Sequence, residues 1–268
     1  MDNLFDVSGK IVLVTGGSRG IGEMIAEGFM ANRAAKVYIT ARKAEVCDAT
    51  AARLNERYAG ECVSIPCDIS SIDGIATLAA RIAAEDGLLH VLVNNAGAAW
   101  GAPFAEFPEK GWDKVMDVNV KAMFFLTQRL LPQLRAAASA EDTARVINIG
   151  SVDGLRIPRS SNFSYSASKA AVHHMTRVLG NELASDNISV NGIAPGPFRS
   201  QMMAATLDAH SEKIAASVPR KRIGQPEDVA GVAIFLASRA SAYITGATIP
   251  CDGGISTAAR MEGQNLDD

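Results

Sequence analysis

Short apolar runs alternate with longer segments of helical composition along almost the whole chain. The runs fall at 11–15, 36–41, 62–67, 91–94, 145–150, 189–193 and 247–250, and each is rich in Val or Ile or bounded by turn residues. Runs this short and this apolar suit strands buried on both faces rather than strands with one wet side. The stretches 20–34, 44–58, 74–85, 112–138, 164–184 and 227–237 have helical composition. Strands separated by helical crossovers predict an α/β fold, a parallel sheet with helices on both faces. No linker interrupts the alternation, so 1–268 reads as a single domain. The one long departure, at about 198–224, reads as a helical lid inserted over the substrate, and the tail beyond Ser256 is weakly specified and expected to fray.

Helix- and strand-breaking residues gather where strands end. Pro158 cannot continue a ladder, Pro195-Gly196-Pro197 breaks the chain after the sixth run, and Gly253-Gly254 follows the seventh. In open α/β sheets ligands bind at the carboxyl ends of the strands, so the chemistry is sought there.

Composition narrows the field. Apolar residues make up 48% and charged residues 21% of the chain, enough for a large core. A formal charge of -3 without a basic cluster leaves no footprint for nucleic acid. The amino terminus has no basic leader, and no apolar run approaches the roughly 20 residues that span a bilayer, so no membrane association and a cytoplasmic location are expected. Cys47, Cys62, Cys67 and Cys251 show no C-x-x-C spacing and form no ligand set with His90, His173, His174 and His210. They read as buried or half-buried thiols, with neither disulfide nor metal.

The first run leads directly into Gly16-Gly17-Ser18-Arg19-Gly20-Ile21-Gly22. Glycines at these positions let the chain reverse and let its backbone approach a pyrophosphate, which the free N–H groups of the following helix attract. At the end of the second run, where an acidic side chain would bind the adenosine ribose, stands Thr40-Ala41-Arg42. Arg42 and Arg19 with no carboxylate favour the 2'-phosphate of NADP(H) over NAD(H). Asp68 and Ile69 follow the third run, where Asp68 either caps a helix or turn or accepts from the adenine amino group. Asn94-Asn95-Ala96-Gly97 follow the fourth, with Asn95, Ala96 and Gly97 on the cofactor side and the asparagines placed to tie strands together.

Ser151 lies just beyond the fifth run, and Tyr165 and Lys169 stand four residues apart on one helical face. A phenol of ordinary pKa, about 10, takes little part in proton transfer near neutrality. An ammonium beside it favours the phenolate, so Lys169 is expected to activate Tyr165, with Ser151 donating to the substrate oxygen. Asn119 is read as holding a water connected to Lys169. Each of these residues has an unremarkable structural reading alone; their joint placement after the expected strands is what points to an oxidoreductase.

On T-G-x-x-x-G-I-G at 15–22, N-N-A-G at 94–97, Asn119, Ser151, Y-x-x-x-K at 165–169 and P-G at 195–196, the chain resembles a short-chain dehydrogenase/reductase over nearly its whole length. The resemblance implies a Rossmann-like fold with seven parallel strands, an NADP(H) cofactor, catalytic roles for Asn119, Ser151, Tyr165 and Lys169, and a homotetramer formed through the two long helices. It adds cofactor contacts from Tyr165, Lys169, Pro195, Gly196, Phe198 and Ser200. Within the family the chain is closest in appearance to the NADPH-dependent 3-oxoacyl reductases of the rhamnolipid-associated type. The same scaffold also serves gluconate and other polyol dehydrogenases and hydroxysteroid-type alcohol dehydrogenases, and a nucleotide sensor without turnover is the remote alternative.

Two departures stand out. Ser151 and Tyr165 are fourteen positions apart where thirteen is commoner, which implies a one-residue bulge, and Ser200 replaces a frequent threonine. The expected small-molecule carbonyl or acyl-thioester substrate would meet Ser151, Asp153, Phe163 and Tyr165, with Trp100, Phe198 and Met202 as further wall residues. Arg156, Arg159 and Arg199 are candidates for phosphate on a coenzyme A or carrier-protein thioester.

Overall fold

The computed structural model describes residues 3–158 and 160–257. The elements run β1 (Ile11–Thr15), α1 (Gly20–Ala31), β2 (Lys36–Thr40), α2 (Ala44–Arg57), β3 (Glu61–Ser64), α3 (Ile72–Glu85) and β4 (Val91–Asn94). They continue with α4 (Glu109–Met116), a π-helical turn (Asp117–Lys121), α5 (Ala122–Arg129), α6 (Leu131–Ala137), β5 (Ala144–Ile149), α7 (Phe163–Glu182), β6 (Ile188–Pro195), α8 (Ala204–Ser217), α9 (Pro226–Ala237) and β7 (Thr248–Cys251). The seven strands form one sheet in the order β3-β2-β1-β4-β5-β6-β7, every neighbouring pair parallel.

Alternation along the strands divides the core into two layers. Val12, Val14, Val37, Ile39, Val91, Val93, Ile147 and Ile149 point to one face, where Ile25 and Phe29 of α1, Leu54 of α2 and Val229, Ala233 and Leu236 of α9 cover them. Leu13, Tyr38, Leu92, Val146 and Val190 point to the other, beneath Leu78 and Ile82 of α3, Leu126 of α5 and Leu179 of α7. Both faces are dry, which is why the sequence shows continuous apolar runs instead of strict alternation. The thiols behave as small apolar groups, Cys47 and Cys62 buried and Cys67 and Cys251 half-buried.

The registers Thr15–Thr40, Asn94–Asn148, Ile149–Ile193 and Pro195–Cys251 bring all the strand ends to a single edge. Crossovers from β1 proceed outward to β2 and β3, then return to the opposite side of β1 at β4. A crevice opens where that direction reverses.

One expected element is divided. The helix expected at 112–138 begins at Glu109, widens into the π-helical turn around Asn119, and breaks at Leu130, with Pro132 inside the first turn of α6. Proline has no N–H to donate and its ring excludes an unbroken helix through that point. The expected helix at 20–34 ends at Ala31, and the sixth strand runs longer than expected, to Pro195. The 198–224 segment is helical, as α8, with an irregular residue at His210. The tail assigned to fraying beyond Ser256 falls largely at 258–268, outside the described residues.

Beneath the edge a buried polar chain crosses the sheet. Thr127 of α5 accepts from Asn94 Nδ2 at 3.1 Å, Asn94 Nδ2 also donates to Asn148 Oδ1 at 2.9 Å, and Asn148 Nδ2 donates to Thr176 Oγ1 of α7 at 3.0 Å. Asn94 thus ties strands, as its sequence position suggested. Replacing one member strands the others without water, so Asn148→Ala is expected to cost about 2–4 kcal/mol of stability, read as the shift in urea unfolding free energy. A loss under 1 kcal/mol would show that the chain contributes little.

Candidate active site

The glycine turn after β1 is built for close approach. Gly16 and Gly20 have positive φ, and a Cβ on Gly22 would lie 2.3 Å from the Gly16 carbonyl oxygen. Arg19 begins α1 in extended conformation and no side chain caps that terminus, leaving the first N–H groups to an anion. Ser18 is buried and its carbonyl accepts from Thr50, which fixes the turn on α2. Ile21 is half-buried against the first core layer. Arg19 and Arg42 are both exposed, and neither has a carboxylate within ion-pair distance among the described residues. This narrow glycine turn, bare helix end and pair of uncommitted guanidiniums fit a dinucleotide carrying an extra phosphate.

Other proposed cofactor residues line the same edge. Asn95 Nδ2 donates to the Thr15 carbonyl at 2.8 Å, while the N–H groups of Asn95 and Ala96 both donate to Thr15 Oγ1 at 2.9 Å. Thr15 figured in the sequence only as the first residue of the glycine motif; its place as the last residue of the first strand was the available signal for this role. Gly97 lies so close to the site that a Cβ there would be 3.7 Å from Lys169 Nζ. Ser200 meets Gly20 across the crevice, its Cβ 3.1 Å from where a Gly20 Cβ would stand. Pro195 closes β6, and Gly196 N–H bonds to the Cys251 carbonyl at 3.0 Å. Ile69 is buried in the second core layer.

One expectation changes and one narrows. Phe198 is not an open wall residue, because its ring is buried in the first core layer and fills the space Gly224 leaves. Of the capping roles open to Asp68, the turn is the one seen: it accepts from Ser70 N–H, and Ser71 caps α3. Burial opposes its ionisation, but the Ser70 hydrogen bonds and the Arg42 charge hold its carboxyl below the ordinary value.

The chemical groups meet where β5 ends on α7. Ser151 is extended, and its Oγ accepts from the Asp153 N–H at 3.1 Å, leaving the hydroxyl proton to be given away. Lys169 is buried, and its Nζ donates to the Ile149 carbonyl at 2.7 Å and lies 5.6 Å from the Tyr165 ring centroid. Burial pulls the Lys169 ammonium down to about 8. Burial pushes the Tyr165 phenol up; the hydrogen bond with Ser151 pulls it down and the Asp153 charge raises it further. In this state the downward influence on Tyr165 comes from the Ser151 hydrogen bond.

Asn119 also differs from expectation. Its Oδ1 accepts from Ala98 N–H at 2.7 Å, and its Nδ2 donates to the Ala98 carbonyl at 3.0 Å and to Ser168 Oγ at 2.9 Å. With both amide protons used inside the protein, the side chain tethers the 96–98 loop to α7. The π-helical turn around it is the local irregularity such sites often carry.

Asp153 accepts from Asn162 Nδ2 at 3.1 Å, and Phe163 starts α7. Trp100 stacks over Gly111 with Lys114 above its ring, and Met202 is exposed. Arg156 lies 4.0 Å from Asp153 and Arg199 lies 3.6 Å from Asp208, so each guanidinium already has a carboxylate. Arg159 lies outside the described residues.

Residues 16–256 match the protein family described as Enoyl-(Acyl carrier protein) reductase. The Rhamnolipids biosynthesis 3-oxoacyl-[acyl-carrier-protein] reductase of Pseudomonas aeruginosa is 48% identical over 95% of this chain and 99% of its own length. The chain belongs to the short-chain dehydrogenase/reductase family. The solved Pseudomonas aeruginosa RhlG/NADP active-site complex superposes on this family member with a TM-score of 0.91 and 47% identity, covering 96% of this chain and all of that one. The 2-dehydro-3-deoxy-D-gluconate 5-dehydrogenase of Dickeya dadantii is 37% identical over 94% of this chain and 97% of its own length.

The Lys169 shift has a testable consequence for this reductase fold. Its folded value, about 8, lies below the ordinary 10.5, so between those pH values the unfolded chain binds more protons than the folded one. Stability contributed at this position is therefore lowest below pH 8 and is recovered as pH rises to 10.5. Relative to Lys169→Met, the wild type should gain roughly 1–3 kcal/mol between pH 7 and pH 10.5 in chemical unfolding. A difference that does not change with pH would refute the buried ammonium.

Proposed function

We propose that this protein is a cytoplasmic NADPH-dependent reductase that converts the 3-oxo group of an acyl thioester to a secondary alcohol. NADPH, when bound, supplies the hydride. The glycine turn and the α1 terminus hold its pyrophosphate, and Arg19 and Arg42 favour its 2'-phosphate. Tyr165 gives its proton to the carbonyl oxygen, and the Ser151 hydroxyl donates a hydrogen bond to the same oxygen as charge develops there. Lys169, fixed to Ile149 on one side and one helical turn from Tyr165, orients ribose hydroxyls and keeps a positive charge beside the phenol. Asn119 holds the 96–98 loop against this group.

The observation that carries the substrate class is an apolar rim before Tyr165. Phe163, two residues from it on α7, packs edge-on against Phe104 at 5.6 Å and Phe107 at 5.7 Å between ring centroids. Phe104 is 82% exposed and Ile157 90% exposed, with Leu155 and Met202 also presented to solvent. An aromatic cluster at the start of the helix that carries Tyr165 suits an acyl chain and leaves a polyol's hydroxyls without partners. The segment 198–224 acts as the lid, and the α4–α5 and α7 surfaces pair subunits in a homotetramer; the family resemblance and the small residues on α7 support this. The relatives that act on gluconates support the second reading, a polyol dehydrogenase, and NADPH as the reductant of the cytoplasm supports the location.

Purified protein assayed with NADPH and separately with NADH, on acetoacetyl-CoA and on a 3-oxododecanoyl thioester, tests the reading. NADPH-linked turnover on a thioester is expected, and Tyr165→Phe should lower kcat by about 10²–10⁴-fold with NADPH affinity retained. Turnover only on sugar acids or polyols would replace the thioester reading with the dehydrogenase one. A second variant examines the rim: Phe104→Ser should lower kcat/KM about tenfold on the long thioester and leave acetoacetyl-CoA nearly unchanged. Equal losses on both would remove the rim from chain recognition.

A further inference from the structure

His173 belongs to the site although no step above uses it. It stands four residues after Lys169 on α7, hence on the same face, and is buried. Its Nε2 accepts from the Ser151 main-chain N–H at 3.3 Å. The loop that carries Ser151 is shaped to permit this contact. A Cβ on Gly150 would stand 2.0 Å from His173 Nε2, and a Cβ on Gly154 would stand 2.6 Å from the Lys169 carbonyl carbon. A side chain at either position would lift the loop from the helix, and at Gly150 it would strike the imidazole itself.

Ser151 is therefore held at two points, its N–H on His173 and its Oγ on the Asp153 N–H. Acceptance at Nε2 requires an imidazole that is neutral and protonated at Nδ1. The surroundings keep it so: burial and the Lys169 charge bring His173 down to about 4, Arg177 assists, and only the Gly154 backbone opposes. Among the described residues Nδ1 is buried and makes no well-formed hydrogen bond, so beside the Gly154 backbone the side chain's well-formed polar bond is the one to Ser151.

We propose that His173 is a positioning residue, whose neutral imidazole anchors the Ser151 main chain to α7 and so sets the Ser151 hydroxyl against the Tyr165 phenol. The inference rests on the reductase reading for its kinetic consequence, but its geometric core is independent of any substrate.

Three variants test it on whichever carbonyl substrate the wild type reduces. In His173→Gln the amide oxygen reaches about as far as Nε2; in His173→Asn the acceptor falls short; His173→Leu has none. The expected result is a kcat about tenfold lower in the Leu and Asn variants, a Gln variant within about threefold of wild type, and NADPH affinity by fluorescence titration within twofold throughout. Wild-type kcat in His173→Leu would overturn the proposal, as would equal losses in Gln and Asn, which would leave His173 a packing role only. Should His173→Leu fail to fold, the Gln and Asn pair decides by itself. Nitrogen-15 NMR of the imidazole tests the geometry without turnover: a neutral ring protonated at Nδ1 at pH 7 is expected, and a proton on Nε2 would overturn the proposal. An inactive wild type with the expected tautomer would count against the reductase reading and leave the anchor standing.

Discussion

The buried ammonium of Lys169 is the constraint around which the site is arranged. Removing a charge from water is costly unless the protein supplies dipoles in exchange, and here the Ile149 carbonyl at the end of β5 supplies one. That bond locks α7 to the sheet edge at one register. With the register fixed, Tyr165 falls one turn before the ammonium and His173 one turn after it. Burial first, and the Lys169 charge after it, disfavour an imidazolium, so the same packing that holds the ammonium one turn from Tyr165 keeps His173 an acceptor. Thr176, a turn further along, joins the polar chain through Asn148 and Asn94 that stiffens the strands beneath.

Much of this was legible in the sequence, for a physical reason. Strands buried on both faces must be continuously apolar, and so β1, β2 and β4 begin and end within a residue of the runs that predicted them. Turns that approach a phosphate must be glycine, and Gly22, whose Cβ would strike the Gly16 carbonyl, permits nothing larger. The division of 112–138 was less legible. Helical composition carries no mark for a π-helical turn, which follows from the hydrogen bonds of Asn119 to Ala98, a partner distant in sequence. Pro132 marks the second break, though helical composition runs on either side of it. Phe198 was misread because a large aromatic after a strand end suits a wall or a core equally well, and only the missing side chain of Gly224 selects the core. In the sequence His173 stands only as one of four histidines that form no ligand set. A neutral imidazole that accepts a main-chain N–H, as His90 also does from Ile11, has no sequence signature.

The edge and the rim answer to different physics, which explains how relatives with gluconate substrates can share so much of this chain. Ser151, Tyr165 and Lys169 are held by the strand ends and by α7, elements whose positions follow from the core. The rim comes from the segment around Phe104 and Phe107, packed on Phe163, a connection free to vary without disturbing those elements. A carbonyl carbon presented to this edge meets the same proton donor whatever is attached to it. What is attached meets the rim, and there the balance is set by desolvation. A polyol chain loses a water hydrogen bond for each hydroxyl laid against Phe104 or Phe163, and Arg156 and Arg199, each beside a carboxylate of its own, are poorly placed to repay it. An alkyl chain loses nothing there and gains with each methylene covered. The proposed preference for an acyl substrate thus rests, among the described residues, on guanidiniums that already have carboxylates as much as on the aromatic surface of Phe104, Phe107 and Phe163.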